Sequence, residues 1–469
     1  MIRPSQTAEA KPTSDTSAAR AEEQIRIFPL PLTPLERFLV QCDTRQSSMV
    51  MRVVLRFTGE YQSEVLFDTL RKAIQRHPLL SCRLSSHRFR PHWIAGSQEK
   101  ILTQHATGSV FATDSGPLVK RIDLTQSGGL QIEVRFMDDG VKVIFDAHHA
   151  ITDGNGLRQV ITDWLHLYHS EINGTPTRLP VIDPDRLQQR DRFPQPAAVA
   201  PITFREAVRN FICTVRGRTA RWISGGPPEL RKQSNLHSYC VEHILSAAEF
   251  EQVQRRLSAW RVTLNDLMIV SCMSTFARLA PGGSHRDRIT VLNPIDLRLP
   301  SDRSMPATNR FGFAFVRRIR SDCHDPAGLL KGIHDELYYV RKGYIGVEFI
   351  KGLKSASQIP GGVDFIRRLG VFIPSLQWTC LGDVTRGARR LMIWKDGVLH
   401  SGGLRLESAT GFAPFAENVP LSVATCEAGK RISLTLRSST AFITPEQTKS
   451  FLGMLVSQIC TMDLPEGVA

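Results

Sequence analysis

Two runs of alternating apolar residues, Leu130, Ile132, Val134 and Phe136 and then Val141, Val143, Phe145 and Ala147, flank Asp139-Gly140. A period of two on both sides of an Asp-Gly pair specifies a β-hairpin with one row of side chains turned into a core. The second run ends in His148-His149-Ala150-Ile151-Thr152-Asp153-Gly154. His149 keeps the parity of Ala147, and His148 takes the opposite face. An imidazole carried off the end of a buried strand is held at a fixed place and angle. Its ordinary pKa of about 6.5 suits it to accept a proton near neutrality. The expectation is a general base at His149.

The same reading organises the rest of the chain. Residues 1–24 are polar and without periodicity, which predicts a disordered tail. Met51, Val53, Leu55 and Phe57 read as a strand, and Val65 to Ile74 as an amphipathic helix ending before Pro78. Leu157 to Tyr168 reads as a second helix behind Gly154 and Gly156. Prolines at 176, 180, 184, 194, 196 and 201 mark a crossing linker, and Phe204–Trp222 is a further helix candidate. A second strand and helix pattern starts at Tyr239, with helices at Ala247–Trp260 and Leu267–Leu279 and strands at Ile289–Leu292 and Phe311–Ile319. A hairpin follows around Glu427-Ala428-Gly429, then a last helix over Pro445–Ile459. At 469 residues the chain is long for one core. The expected organisation is α/β: a first lobe over 25–175, a linker over 176–235 and a similar second lobe over 236–469.

Composition narrows the chemistry. Hydrophobic content of 42% with 22% charged residues is that of a globular protein. The nine cysteines, at 42, 82, 213, 240, 272, 323, 380, 426 and 460, have no metal-ligand spacing and read as reduced, packed thiols. No signal peptide and no run of eighteen apolar residues is present, so a cytoplasmic protein without a membrane span is expected. Adjacent histidines project to opposite sides of an extended chain, no H-E-x-x-H occurs, and no metal is expected. The absence of G-x-S-x-G argues against a serine hydrolase. The net charge of +14 fits nucleic acid, an anionic membrane surface, or the phosphate-bearing arm of coenzyme A or a carrier protein. The basic residues are dispersed and no nucleic-acid-binding module is evident, so nucleic acid is not expected as a partner.

The H-H-x-x-x-D-G block resembles the signature of the chloramphenicol acetyltransferase-like superfamily, which includes condensation domains, wax-ester synthases and polyketide-associated acyltransferases. Phe28 to Thr33 with Glu36-Arg37-Phe38 is similar to the opening of condensation domains, and Arg76-His77-Pro78-Leu79-Leu80 to their helix-to-strand passage. Thr263-Leu264-Asn265-Asp266 and Asn293-Pro294-Ile295-Asp296-Leu297-Arg298 resemble later landmarks, so the likeness spans residues 26 to 455 or so. It implies a V-shaped pair of similar lobes enclosing a tunnel. It also implies acyl transfer from acyl-CoA or a phosphopantetheine-linked donor to a hydroxyl or amine, with no permanently bound cofactor.

In that family the second histidine is the base, which gives His149 the role here. The aspartate pairs with an arginine of the second lobe, and the matching position is Arg298; Asp153 is therefore read as structural support. Gly154 would leave room for the pantetheine arm and turn its N–H toward an oxyanion. An acidic acyl carrier protein becomes a candidate partner, and a monomer is expected. The chain lacks the D-F-G-W-G block of plant-type members, having only Asn309-Arg310-Phe311-Gly312-Phe313 in a different context, and it has Cys380 where many relatives have the asparagine of an S/T-N-L-G turn. No carrier domain accompanies the sequence, which favours a stand-alone acyltransferase. The alternatives are a freestanding peptide-synthetase-type condensation enzyme and a catalytically degenerate carrier- or acyl-binding member.

Overall fold

The computed structural model describes residues 27–44, 47–85, 91–97, 101–105, 121–195, 219–222, 238–364, 374–387, 393–395, 397–414 and 419–462. The tail expected over 1–24 lies outside these, as does all of the helix expected over Phe204–Trp222 except its last four residues, where Thr219 bridges to Arg288.

The first half contains β1 (Leu30–Pro31), α1 (Pro34–Cys42), β2 (Val50–Gly59), α2 (Ser63–Gln75), β3 (Arg83–Leu84), β4 (His92–Ile94), β5 (Leu102–His105), β6 (Leu130–Met137), β7 (Gly140–His148) and α3 (Gly154–Asn173). The hairpin read from the sequence is β6 and β7, in register from Leu130 opposite Ala147 to Met137 opposite Gly140. Gly140 is required there: a Cβ would lie 2.2 Å from the Phe57 carbonyl oxygen of β2, which pairs with the other edge of β7. Apolar stripes on α2 and α3 close one face of this sheet. Trp164 of α3 sets its ring 5.8 Å from both Phe57 and Phe145.

The second half contains β8 (Ser238–Ile244), α4 (Ala247–Trp260), α5 (Leu264–Leu279), β9 (Arg288–Asp296), β10 (Phe311–Ile319), α6 (Pro326–Lys342), α7 (Val347–Ser357), β11 (Leu376–Asp383), β12 (Ile393–Lys395), β13 (Val398–Ser401), β14 (Leu404–Phe412), β15 (Leu421–Ala428), β16 (Arg431–Ser439) and α8 (Pro445–Thr461). Its sheet runs β10-β9-β11-β15-β16-β8, with β11 parallel to both neighbours. Helix α5 is buried almost all round, packed between the sheet, α6 and α8. That explains why its sequence is apolar without a polar face.

The strand pairing carries part of the second half back into the first sheet. The first sheet runs β12-β13-β14-β2-β7-β6-β5, so residues 393–412 belong to it despite lying far into the second half. Strand β14 pairs with β2 from Leu404 opposite Gly59 to Phe412 opposite Arg52. The physical reason is edge coverage: β2 would otherwise present a long open row of N–H and C=O groups. The first core also takes in Phe311 from β10 and Val347, Ile350 and Leu353 from α7. The two sheets are thus tied by chain crossing and by shared packing.

Candidate active site

Strand β7 delivers the histidines. His148 N–H donates to Gly129 O at 2.8 Å and His149 N–H to Met49 O at 2.7 Å, so both backbones are fixed by neighbouring strands before the chain turns. His149 Nδ1 lies 3.1 Å from Thr152 O. A carbonyl can only accept, so Nδ1 carries the hydrogen and Nε2 keeps the lone pair. The Phe311 ring stacks on the imidazole at 4.8 Å and 20°. No described residue hydrogen-bonds to Nε2, and the ring lines a cavity of about 760 Å³. Burial pushes the imidazole below its ordinary value, outweighing the Asp153 carboxylate and the Thr152 carbonyl, which raise it.

The folded protein keeps His149 neutral at and somewhat below pH 6.5, where a free imidazole would be half protonated. For a reaction in which His149 accepts the proton, kcat/KM is expected to hold level on the acid side of neutrality and to fall only below pH 6.5. A fall centred above 6.5 would contradict this environment.

The turn after His149 is pinned from the second half of the chain. Asp153 caps α3 by accepting from Gly156 N–H at 2.8 Å. Its carboxylate also takes a two-pronged contact from Arg298, at 2.9 Å to Nη1 and 2.8 Å to Nη2, and the Arg310 N–H at 2.8 Å. Burial pushes the Asp153 carboxyl up, but the Arg298 charge and these donors bring it below its ordinary value. Arg298 is itself completed by Asp296 and by Thr308 O.

Sequence reasoning missed Asn309. Its Nδ2 donates to His149 O at 2.8 Å and Ala150 O at 2.9 Å, holding the loop from the other side. The only hint was its place beside Arg310, just ahead of the alternating phenylalanines.

His148 goes elsewhere. Its Nδ1 accepts the Ala150 N–H at 3.1 Å, and its Nε2 lies 3.7 Å from Asp43 Oδ2, away from the cavity lining. Burial pushes the Asp43 carboxyl up, yet His148, the Met49 N–H and Arg121 hold it below its ordinary value. Gly154 does line the cavity, but a Cβ on it would meet Leu381 Cδ2 at 2.9 Å. Its missing side chain therefore makes room for Leu381.

The cavity exists because the second sheet splits. Strands β9 and β11 pair at Val291 and Leu292 and then part. Pro294, Ile295 and Asp296 on one side and Thr379, Cys380 and Leu381 on the other face into the opening. Pro294 is tolerated inside β9 because the edge that would need its N–H has no partner strand there. On β10 the phenylalanines 311, 313 and 315 alternate along the wall. Phe313 packs against Phe349 of α7 at 4.9 Å, and Phe349 against Phe38 of α1 at 5.7 Å. The lining includes exposed residues at Asp296 beside the histidine loop, at Cys380 on β11 and at Glu348 with Gly352 on α7. Cys380 lines this space, and burial pushes its thiol up, which disfavours a thiolate nucleophile. Among the described residues no three His, Cys, Asp or Glu groups are gathered to hold a metal ion.

No family model matches the chain. Nonribosomal peptide synthetase 5 of Gibberella zeae is 23% identical over 169 residues, which amount to 33% of this chain and only 2% of that protein. The first condensation domain of the calcium-dependent antibiotic synthetase, solved with a substrate analogue, superposes with a TM-score of 0.64 at 14% identity over 92% of this chain and 96% of that one. The epimerization domain from the third module of tyrocidine synthetase B gives 0.62 at 14% identity, covering 92% and 98%. A substituted form of the starter condensation domain of rhizomide synthetase, solved with C8-CoA and Leu-SNAC, gives 0.60 at 12% identity over 96% of each chain. The chain has the fold of these condensation and epimerization domains, the chloramphenicol acetyltransferase-like fold.

Proposed function

We propose that this protein transfers an acyl group from a thioester donor to a hydroxyl or amine acceptor, with His149 as the general base. The reading rests on one observation: an imidazole with Nδ1–H tied to a carbonyl presents Nε2 with its lone pair on the wall of a largely apolar cavity. The acceptor O–H or N–H would give its proton to Nε2 as it attacks the thioester carbonyl. Collapse of the tetrahedral oxyanion breaks the C–S bond, and the departing thiolate takes the proton back from Nε2. A base so placed contributes about 10²–10⁴ in rate. Holding both reactants in one desolvated space adds an entropic gain that can be larger. No covalent enzyme intermediate is needed, and Asp153 and Arg298 act by positioning the loop.

The donor is proposed to be coenzyme A or a carrier protein bearing a phosphopantetheine arm, each held in the superposed domains' sense of a thioester substrate and not as a resident cofactor. Peptide bond formation between carrier-bound substrates is the second reading, favoured by the condensation-domain superpositions; it uses the same base with an amine acceptor. No helix among the described residues is long and apolar enough to cross a membrane.

The test is release of free thiol from a panel of acyl-CoAs and acyl-carrier proteins, with and without amine and alcohol acceptors. Release that depends on an acceptor supports transfer; none from any donor, or release indifferent to acceptor, would sink it. Exposed lining residues on well-separated elements, Asp296 on β9 and Glu348 with Gly352 on α7, support separate openings for the two reactants. Gly352 has open space where its Cβ would be, so Gly352→Trp is expected to raise KM several-fold for one substrate and leave the other largely unchanged. An equal rise for both would argue for a single shared entrance.

A further inference from the structure

Three arginines lie about the split end of the second sheet, and among the described residues only Arg298 has side-chain partners. Arg298 is taken up by Asp153 and Asp296. Arg158 projects from α3 one turn beyond Gly154, on the same helix face, because residues four apart lie above one another. Gly154 and Asn155 line the cavity, and Arg158 follows them one turn farther along the helix. Its Nη1 lies 3.5 Å from where a Cβ of Gly382 would be, and Gly382 has a positive φ of 64°. The bend at the end of β11 thus brings bare backbone against the guanidinium. Arg158 makes no hydrogen bond and no ion pair with any described residue, and Arg386, exposed on the turn after β11, is close enough to repel it. Arg298 repels it as well, while Asp296 and Asp153 offset this only in part.

A half-buried guanidinium with no hydrogen-bonding partner among the described residues, and with a second guanidinium beside it, is costly unless an anion completes it. The planar fork of arginine matches phosphate oxygens two at a time. The cavity offers such an anion a natural origin, since a thioester reaching His149 on a pantetheine arm carries a phosphate at the arm's far end.

We propose that Arg158 and Arg386 form the anchor for the phosphate ester of the donor's pantetheine arm, beside the opening marked by Asn155 and Asp296. The proposal rests on the acyl-transfer reading for the identity of its ligand. Coenzyme A and a carrier-borne arm share this phosphate.

Binding measured on the full chain by calorimetry separates the possibilities, with pantetheine and 4′-phosphopantetheine as probes that differ only in the phosphate. The parent protein is expected to bind 4′-phosphopantetheine about tenfold more tightly, in line with a charge-assisted contact. Arg158→Gln should erase that preference and leave pantetheine binding and melting temperature unchanged; Arg386→Gln should reduce it. Equal binding of both probes by the parent, or an equal loss for both probes in Arg158→Gln, would overturn the anchor. Coenzyme A is the third probe: tighter binding than 4′-phosphopantetheine assigns the site to free coenzyme A, and equal binding assigns it to a carrier arm whose contacts end at the phosphate. Thiol release is scored separately. Turnover without a phosphate preference removes the anchor and keeps the transferase, whereas a phosphate preference without turnover removes the transferase and keeps the anchor.

Discussion

Replacing His149 by alanine is expected to lower acceptor-dependent thiol release by about 10²–10⁴-fold, the usual worth of a placed general base. The melting temperature should shift little in comparison. The ring packs against Phe311 and gives Thr152 O one donor, and it already lines the cavity. The structural loss is one neutral hydrogen bond, about 1 kcal/mol, and part of one ring contact. His149→Gln sharpens the test because its amide can still donate to a carbonyl while it offers no basic nitrogen. Both variants should be equally inactive. If glutamine restored transfer, the imidazole would be a spacer or a hydrogen-bond donor; if alanine kept full activity, the base would have to be sought elsewhere.

Local pattern carried much of this architecture. The β6–β7 hairpin was visible because alternation on both sides of Asp139-Gly140 fixes both turn and register. Helix α4 was legible end to end, with Ser246 and Glu249 forming the capping box that starts it. Strand β10 was readable from its alternating phenylalanines.

What escaped were features created by distance along the chain. Nothing near Leu404–Phe412 announces that its partner is β2, because an edge strand is chosen by which open ladder is available in three dimensions. Alternation marked β9 only over Ile289–Leu292, yet the strand continues through Pro294 to Asp296, where the sheet has already parted. The same parting makes the cavity, and no periodicity encodes it. Asn309 was invisible for a similar reason: its amide serves backbone carbonyls of residues 149 and 150, a contact with no local signature. The histidine block marked where chemistry would sit, while the residues that shape its surroundings emerged only with the fold.

Asp153→Asn is expected to reduce stability by about 3–5 kcal/mol, the cost of removing one partner from a buried ion pair. Against a total of about 5–15 kcal/mol for a folded domain, that should be seen as poor soluble yield and an early melt. The carboxylate accepts from Gly156 N–H, Arg310 N–H and both terminal nitrogens of Arg298, so four donors converge on two oxygens. An amide of the same shape turns one of those oxygens into an N–H₂ facing other donors, and Arg298 loses its buried counter-charge.

The pH dependence gives an independent check. A carboxyl held below its ordinary value in the folded state stabilises the protein above the unfolded pKa, and that contribution disappears as pH falls through the folded value. The parent should therefore lose stability below pH 3.8 in part through this group, and the variant should show a shallower acid limb. A double-mutant cycle with Arg298→Met assigns the effect: the double variant should be less damaged than the sum of the singles, because removing both charges leaves none stranded. Unchanged melting with abolished transfer in Asp153→Asn would instead move this carboxylate from holding the histidine loop to taking part in the chemistry. Since Asp153 belongs to the first half of the chain and Arg298 and Arg310 to the second, a loss of stability would also show that joining the halves and aiming the imidazole are achieved by the same contacts.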